Sequence, residues 1–123
     1  MPDRQSVIAE RQNGAVTVLL MPPRLTIESG ARDFHEKVRA LIDRGHTQIL
    51  VDLSDLVQMD SSALAELVRA LTVARDSGGA LKLLGVTPRI KELLLTTKLV
   101  TLFEAFEREG EAVASFGPKK SAR

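Results

Sequence analysis

The chain has 123 residues, a hydrophobic fraction of 44% and a net charge of +1 from 17 basic and 16 acidic side chains. That length fits one compact domain with a real core, and the balanced charge gives no pull toward a polyanion such as nucleic acid. Four Phe are the only aromatics and there is no Cys, which excludes a base-stacking platform, a disulfide framework and thiolate chemistry.

The start MPDRQSVIAE lacks the apolar run of a signal peptide, and no segment approaches the ~18 apolar residues of a membrane helix. The expectation is a soluble, cytoplasmic protein with no membrane partner. In chain order, residues 7–9 and the apolar run AVTVLLM at 15–21 flank the turn pair Asn13-Gly14 and predict a hairpin. Pro22-Pro23 stops its second strand. Residues 28–44 read as a helix, with Phe34, Val38, Leu41 and Ile42 on one face and Gly45 as a stop. QILVDL at 48–53 reads as a strand buried on both faces. SDLVQMDSS follows as a loop. A helix is then expected over 62–77, since Leu64, Leu67, Val68 and Leu71 recur at helical spacing. Gly78-Gly79 closes it, and ALKLLGV at 80–86 is the next strand. Thr87-Pro88 places a capping residue before a helix-starting proline, and RIKELLLTT continues that helix. A short strand is expected within 99–106 and a last helix over 107–116, weakened by Gly110. The tail GPKKSAR reads as frayed. No repeat, low-complexity stretch or linker interrupts the order ββαβαβαβα, which predicts an α/β domain with a parallel or mixed sheet.

Most routes to chemistry are closed. His35 and His46 sit in no metal-binding spacing, so no metal is expected. Gly78-Gly79 precedes a strand and therefore caps a helix; it does not cradle a phosphate. Ser61 and Ser62 lack the glycines of a hydrolase elbow. Asp52 and Asp55 gather no partners, and Asp52 reads as a strand-end carboxylate bonded to nearby backbone. Neither a cofactor nor an enzymatic activity is expected.

One stretch stands out. MDSSALAELV, residues 59–68, begins a helix with three capping residues in a row: Asp60, Ser61 and Ser62. One is enough. The Glu or Gln of a capping box is missing whichever residue caps, because Ala63, Leu64 and Ala65 stand at those places. At least one hydroxyl is therefore surplus. It lies beyond the carboxyl end of a buried strand, where ligand and partner sites gather in open α/β sheets. A helix N-terminus tolerates an anion, so a phosphate on a serine here would add about −1.5 to −2 charges without breaking the fold.

These residues carry a resemblance. ILVDLSDLVQMDSSALAELVRA, then GGALKLLGVTPRIKELLLTTKL, resembles the STAS domain, and more narrowly the bacterial anti-sigma factor antagonists. The likeness runs from about residue 7 to 116. It implies one STAS domain over residues 1–116 with a tail at 117–123. It also implies an α/β fold, with a mixed or parallel sheet of about four or five strands and about four helices packed mainly on one face. The family's switch is the serine directly after the aspartate, which by position is Ser61; Asp60 would then flank it and Ser62 would be a spare cap. The resemblance implies an anti-sigma factor partner that is a GHKL-type serine kinase. That kinase would bind the unphosphorylated chain, release its sigma factor, and lose its grip once Ser61 is phosphorylated. A PP2C-type phosphatase would reverse the step. The implied partner surface comprises Asp60, Ser61, Ser62, Ala63 and Leu64 with the early loop Pro23, Arg24, Leu25 and Thr26. Two departures bear on that surface. Ala63 replaces the family's usual Gly, and Pro23-Arg24-Leu25-Thr26 replaces its Gly-Glu-Leu-Asp; Arg24 could then reach a phosphate on Ser61. The alternative is a constitutive STAS subunit of a stressosome-like or lipid-transport ABC assembly with no phospho-switch. A monomer or a weak dimer is expected.

Overall fold

The computed structural model describes residues 8–117. Its strands are β1 (Ala9–Asn13), β2 (Val16–Leu20), β3 (Arg24–Leu25), β4 (Gln48–Asp52), β5 (Gln58–Met59), β6 (Ala80–Leu84) and β7 (Ala105–Phe106). Its helices are α1 (Ala31–Asp43), α2 (Ser61–Asp76), α3 (Pro88–Thr96) and α4 (Glu109–Ser115), with a 3-10 turn at Val100–Leu102. The main sheet has the order β1-β2-β4-β6-β7; β1 runs antiparallel to β2 and the other neighbours are parallel. A separate parallel ribbon joins β3 to β5.

Burial follows the strand alternation. Ile49, Val51, Leu81 and Leu83 turn to one face, where Phe34, Val38 and Leu41 of α1, Leu67 and Leu71 of α2, and Ile90 and Leu94 of α3 meet them. Val16, Val18, Leu50 and Leu84 turn to the other face, which α4 covers with Ala112 and Val113. Three helices therefore share one face and the shortest sits on the other. Ile49, Leu50 and Val51 have no exposure at all, as the continuous apolar run QILVDL implied.

Most elements fall close to where their patterning puts them; the first strand, the start of the first helix and the two-residue strands depart from it. The first strand is Ala9–Asn13, paired from Ala9↔Leu20 to Asn13↔Val16, and not 7–9; Val7 lies outside the described residues. Its sequence AERQN is largely exposed, so an outer strand left no apolar signal. The first helix starts at Ala31, not 28, because Thr26 and Ser29 exchange backbone bonds of 2.8 and 3.0 Å in a tight turn. Gly30 closes that turn at φ 91°, where a side chain would be strained. Residues 99–106 hold the 3-10 turn and a two-residue strand. The ribbon strands β3 and β5 were unforeseen, as two residues carry no period. Gly79 has a steric reason beyond ending α2: a Cβ there would overlap the Thr47 carbonyl at the entry to β4. Of the tail expected to fray, 117–123, residues 118–123 lie outside the described residues, and Gly117 N donates to the Ala114 carbonyl at 3.0 Å.

Candidate partner-docking site

The carboxyl end of β4 builds the site. Asp52 Oδ1 accepts from Ser54 N at 2.9 Å and from Ser54 Oγ at 2.6 Å, the local turn its position implied. Leu53 and Leu56 are buried and anchor the loop. Val57 and Gln58 then donate their N–H groups to the Pro23 carbonyl at 2.7 and 3.1 Å. This ties the loop after β4 to the loop after β2 and creates the β3–β5 ribbon.

Asp60 ends the ribbon and starts α2. Its Oδ1 accepts from Ala63 N at 2.9 Å, the capping bond, and its Oδ2 accepts from Ile27 N at 2.9 Å. One carboxylate thus fastens the helix start to the early loop. The Ile27 bond first, and then the Ala63 bond, lower the Asp60 acid below its ordinary value, because each favours the charged form. The cap is Asp60; Ser62, expected as a spare cap, stands inside the first turn. Neither the Ser61 nor the Ser62 hydroxyl has a hydrogen-bond partner among the described residues. Ser61 is exposed and Ser62 half-buried.

The structure brings both predicted stretches together, and sorts them. Pro23 and Arg24 are exposed and Thr26 is half-buried. Leu25, Ala63 and Leu64 turn into the core, so they support the surface from beneath. The Ala63 methyl is fully buried and adds no bulk outside. Arg24 Nε donates to Gln58 Oε1 at 3.2 Å, which employs it within the ribbon; among the described residues no hydrogen bond joins it to Ser61. Two exposed apolar residues escaped notice: Ile27, 68% exposed beside Asp60, and Val57, 55% exposed before β5. An isoleucine in a polar loop, outside any helical or strand period, was the available signal. His35 Nδ1 lies 2.9 Å from Glu66 Oε1 and links α1 to α2, while His46 is exposed. Among the described residues no cluster of three or more His, Cys, Asp or Glu could hold a metal, and no helix is long and apolar enough to cross a membrane.

Fold and site define the class: a mixed-sheet α/β domain that displays a hydroxyl where a strand end hands over to a helix. The chain belongs to the STAS family, since residues 8–104 match the family model described as "Mlab, STAS domain". Among solved structures it is similar to a candidate anti-sigma factor antagonist of Thermotoga maritima, TM1081. The identity is 26%, the TM-score 0.81, and the match covers 90% of this chain and 95% of that one. An anti-sigma-factor antagonist domain protein of Planctomyces limnophilus shares the fold at 22% identity, with a TM-score of 0.79 over 90% of this chain and 98% of that one. The Bacillus cell fate determinant SpoIIAA in its phosphorylated form shares it at 18%, with a TM-score of 0.72 over 89% and 98%. Comparison with curated protein sequences gives no match.

Proposed function

We propose that this chain is a cytoplasmic anti-sigma factor antagonist that works by binding and not by catalysis. Its unphosphorylated form docks on a GHKL-type anti-sigma factor kinase through Ser61, the start of α2 and the loop from Pro23 to Ile27. Phosphorylation of Ser61 ends that binding, and a PP2C-type phosphatase restores it. The observation that carries this reading is the division of labour at the helix start: Asp60 caps α2 and holds the Ile27 loop with its two oxygens, so the Ser61 hydroxyl is free of structural duty. A phosphoryl group there would place about two negative charges next to the Asp60 carboxylate, on a surface that also offers Ile27 for apolar contact. That charge opposes docking of an apolar partner patch.

The test is peptide mass spectrometry on the protein from its own cells across growth and stress conditions, joined to pull-down with Ser61→Ala and Ser61→Glu. Phosphate on Ser61, and an anti-sigma kinase retained by Ser61→Ala but lost by Ser61→Glu, are expected. An unmodified Ser61 under every condition would sink the switch. The second reading, a constitutive STAS subunit of a lipid-transport complex, draws on the family description that matched. It predicts that Ser61→Ala and Ser61→Glu retain the same transporter subunits.

A further inference from the structure

Among the described residues, the β5 strand pairs only with β3. Val57 and Gln58 share the Pro23 carbonyl at the entry to β5, and from there the N–H groups of Gln58 and Asp60 point to that neighbour, meeting the carbonyls of Pro23 and Leu25 at 3.1 and 3.4 Å. Backbone groups alternate sides along a strand, so the N–H and C=O of Met59 face the other way. Met59 lines a groove of about 630 Å³ between β5 and α3, the side away from β3. Val57, Met59, Ile90 and Leu93 give the groove apolar walls. Exposed edges in monomeric domains are usually blunted by Lys or Pro, yet here the residue leading into β5 is Val57, 55% exposed.

The rim carries a second signal. Arg89 and Glu92 both line the groove and stand three residues apart on α3. Pairs at that spacing bond elsewhere in the molecule: Glu66 with Arg69 at 3.8 Å and Arg108 with Glu111 at 3.9 Å. Arg89 and Glu92 form no such pair, and neither has another partner among the described residues. Two opposite charges are thus held free beside an open strand edge.

We propose that this groove takes an extended segment of a partner protein as a third strand beside β5, by main-chain pairing with Met59. The segment alternates apolar residues with an acidic residue that meets Arg89 and a basic one that meets Glu92; alternate residues of a strand share a side, which suits the two rim charges. Because β5 runs directly into Asp60 and Ser61, the same partner can span both places. The groove itself requires no modification of Ser61, so it stands or falls separately from the phospho-switch.

Selection of short random peptides displayed on phage against the full chain tests this. Enriched peptides are expected to alternate apolar with polar residues and to carry both an acid and a base. Met59→Pro removes the groove-facing N–H while leaving the Gln58 and Asp60 bonds to β3, and should weaken them roughly tenfold, about one hydrogen bond. Arg89→Glu, on an exposed rim, should weaken them and redirect selection toward basic residues; it carries the test alone if Met59→Pro fails to melt like the parent. Ser61→Ala should bind the peptides unchanged. No enrichment, or peptides indifferent to both groove variants, would overturn the proposal.

Discussion

The helices α2 and α3 both start just beyond the carboxyl ends of parallel strands, and their starts are built differently. At α3 a single hydroxyl does the work: Thr87 Oγ1 accepts from Ile90 N at 3.4 Å, and Pro88 fills the first turn. At α2 a carboxylate caps the helix and holds a distant loop, and two serines remain. The α3 start is explained by stability alone. The α2 start is over-supplied, and the surplus Ser61 lies exposed beside the ribbon. A helix cap is therefore most informative where it is redundant.

Substitutions can break that comparison. The largest effect should come from beneath α2: Leu67 is 1% exposed in the main core, so Leu67→Ala should cost ~2–5 kcal/mol in urea unfolding. A smaller value would mean that α2 is not held by its packing. Next comes Asp60→Ala, which removes the cap and the tie to Ile27 together. A melting-temperature loss of several degrees is expected, with faster hydrogen exchange at the Ile27 and Ala63 amides. Unchanged exchange at Ile27 would show that the loop is held by other means. Thr87→Ala should cost less, ~0.5–1 kcal/mol, since its bond is long and Pro88 preorganises the turn.

Acid sharpens the contrast, because one cap titrates and the other does not. The Asp60 acid is lowered in the fold, so its contribution is complete above the ordinary value of 3.8 and is lost as pH falls through its lower folded value. Glu109 behaves alike: Arg11 first, then Asn13, hold it at about 2 through bonds of 2.6 to 2.9 Å. Its share, which fastens α4 to β1, is lost between about 4.5 and about 2. In a Glu109→Gln background, amide exchange should therefore rise at the start of α2 below pH 4 while the start of α3 stays protected. Equal exposure of both starts would refute the assignment of Asp60 as the working cap.

The contrast also marks where the sequence was legible. The buried strand QILVDL, the helices with apolar stripes and the Thr87-Pro88 start were readable because each follows from local chemistry with a period or a fixed residue. The Asp60–Ser61–Ser62 anomaly was readable as a surplus, but not its resolution. Which residue caps depends on the Ile27 amide, thirty-three positions away, and on the two-residue ribbon that brings it there. Long-range pairing of two-residue strands leaves no trace in periodicity. The exposed edge strand AERQN was missed because it buries almost nothing, and the groove beside α3 because a free backbone edge has no side-chain signature.

The smallest expected effect is the most telling. Ser61 is exposed and its hydroxyl bonds to nothing among the described residues, while Asp60 already caps the helix. Ser61→Ala should therefore change stability by less than about 0.5 kcal/mol, the range of a plain surface substitution. Alanine is a good helix former at that first position, which offsets any loss of solvation. If Ser61→Ala instead cost as much as Thr87→Ala, the serine would be a structural cap and the surplus would vanish. A near-silent Ser61→Ala that alters partner retention would leave the hydroxyl with no duty except on the outside of the fold. The residue that matters most to binding would then matter least to folding, and at α3, where Thr87 only caps, the order would be reversed.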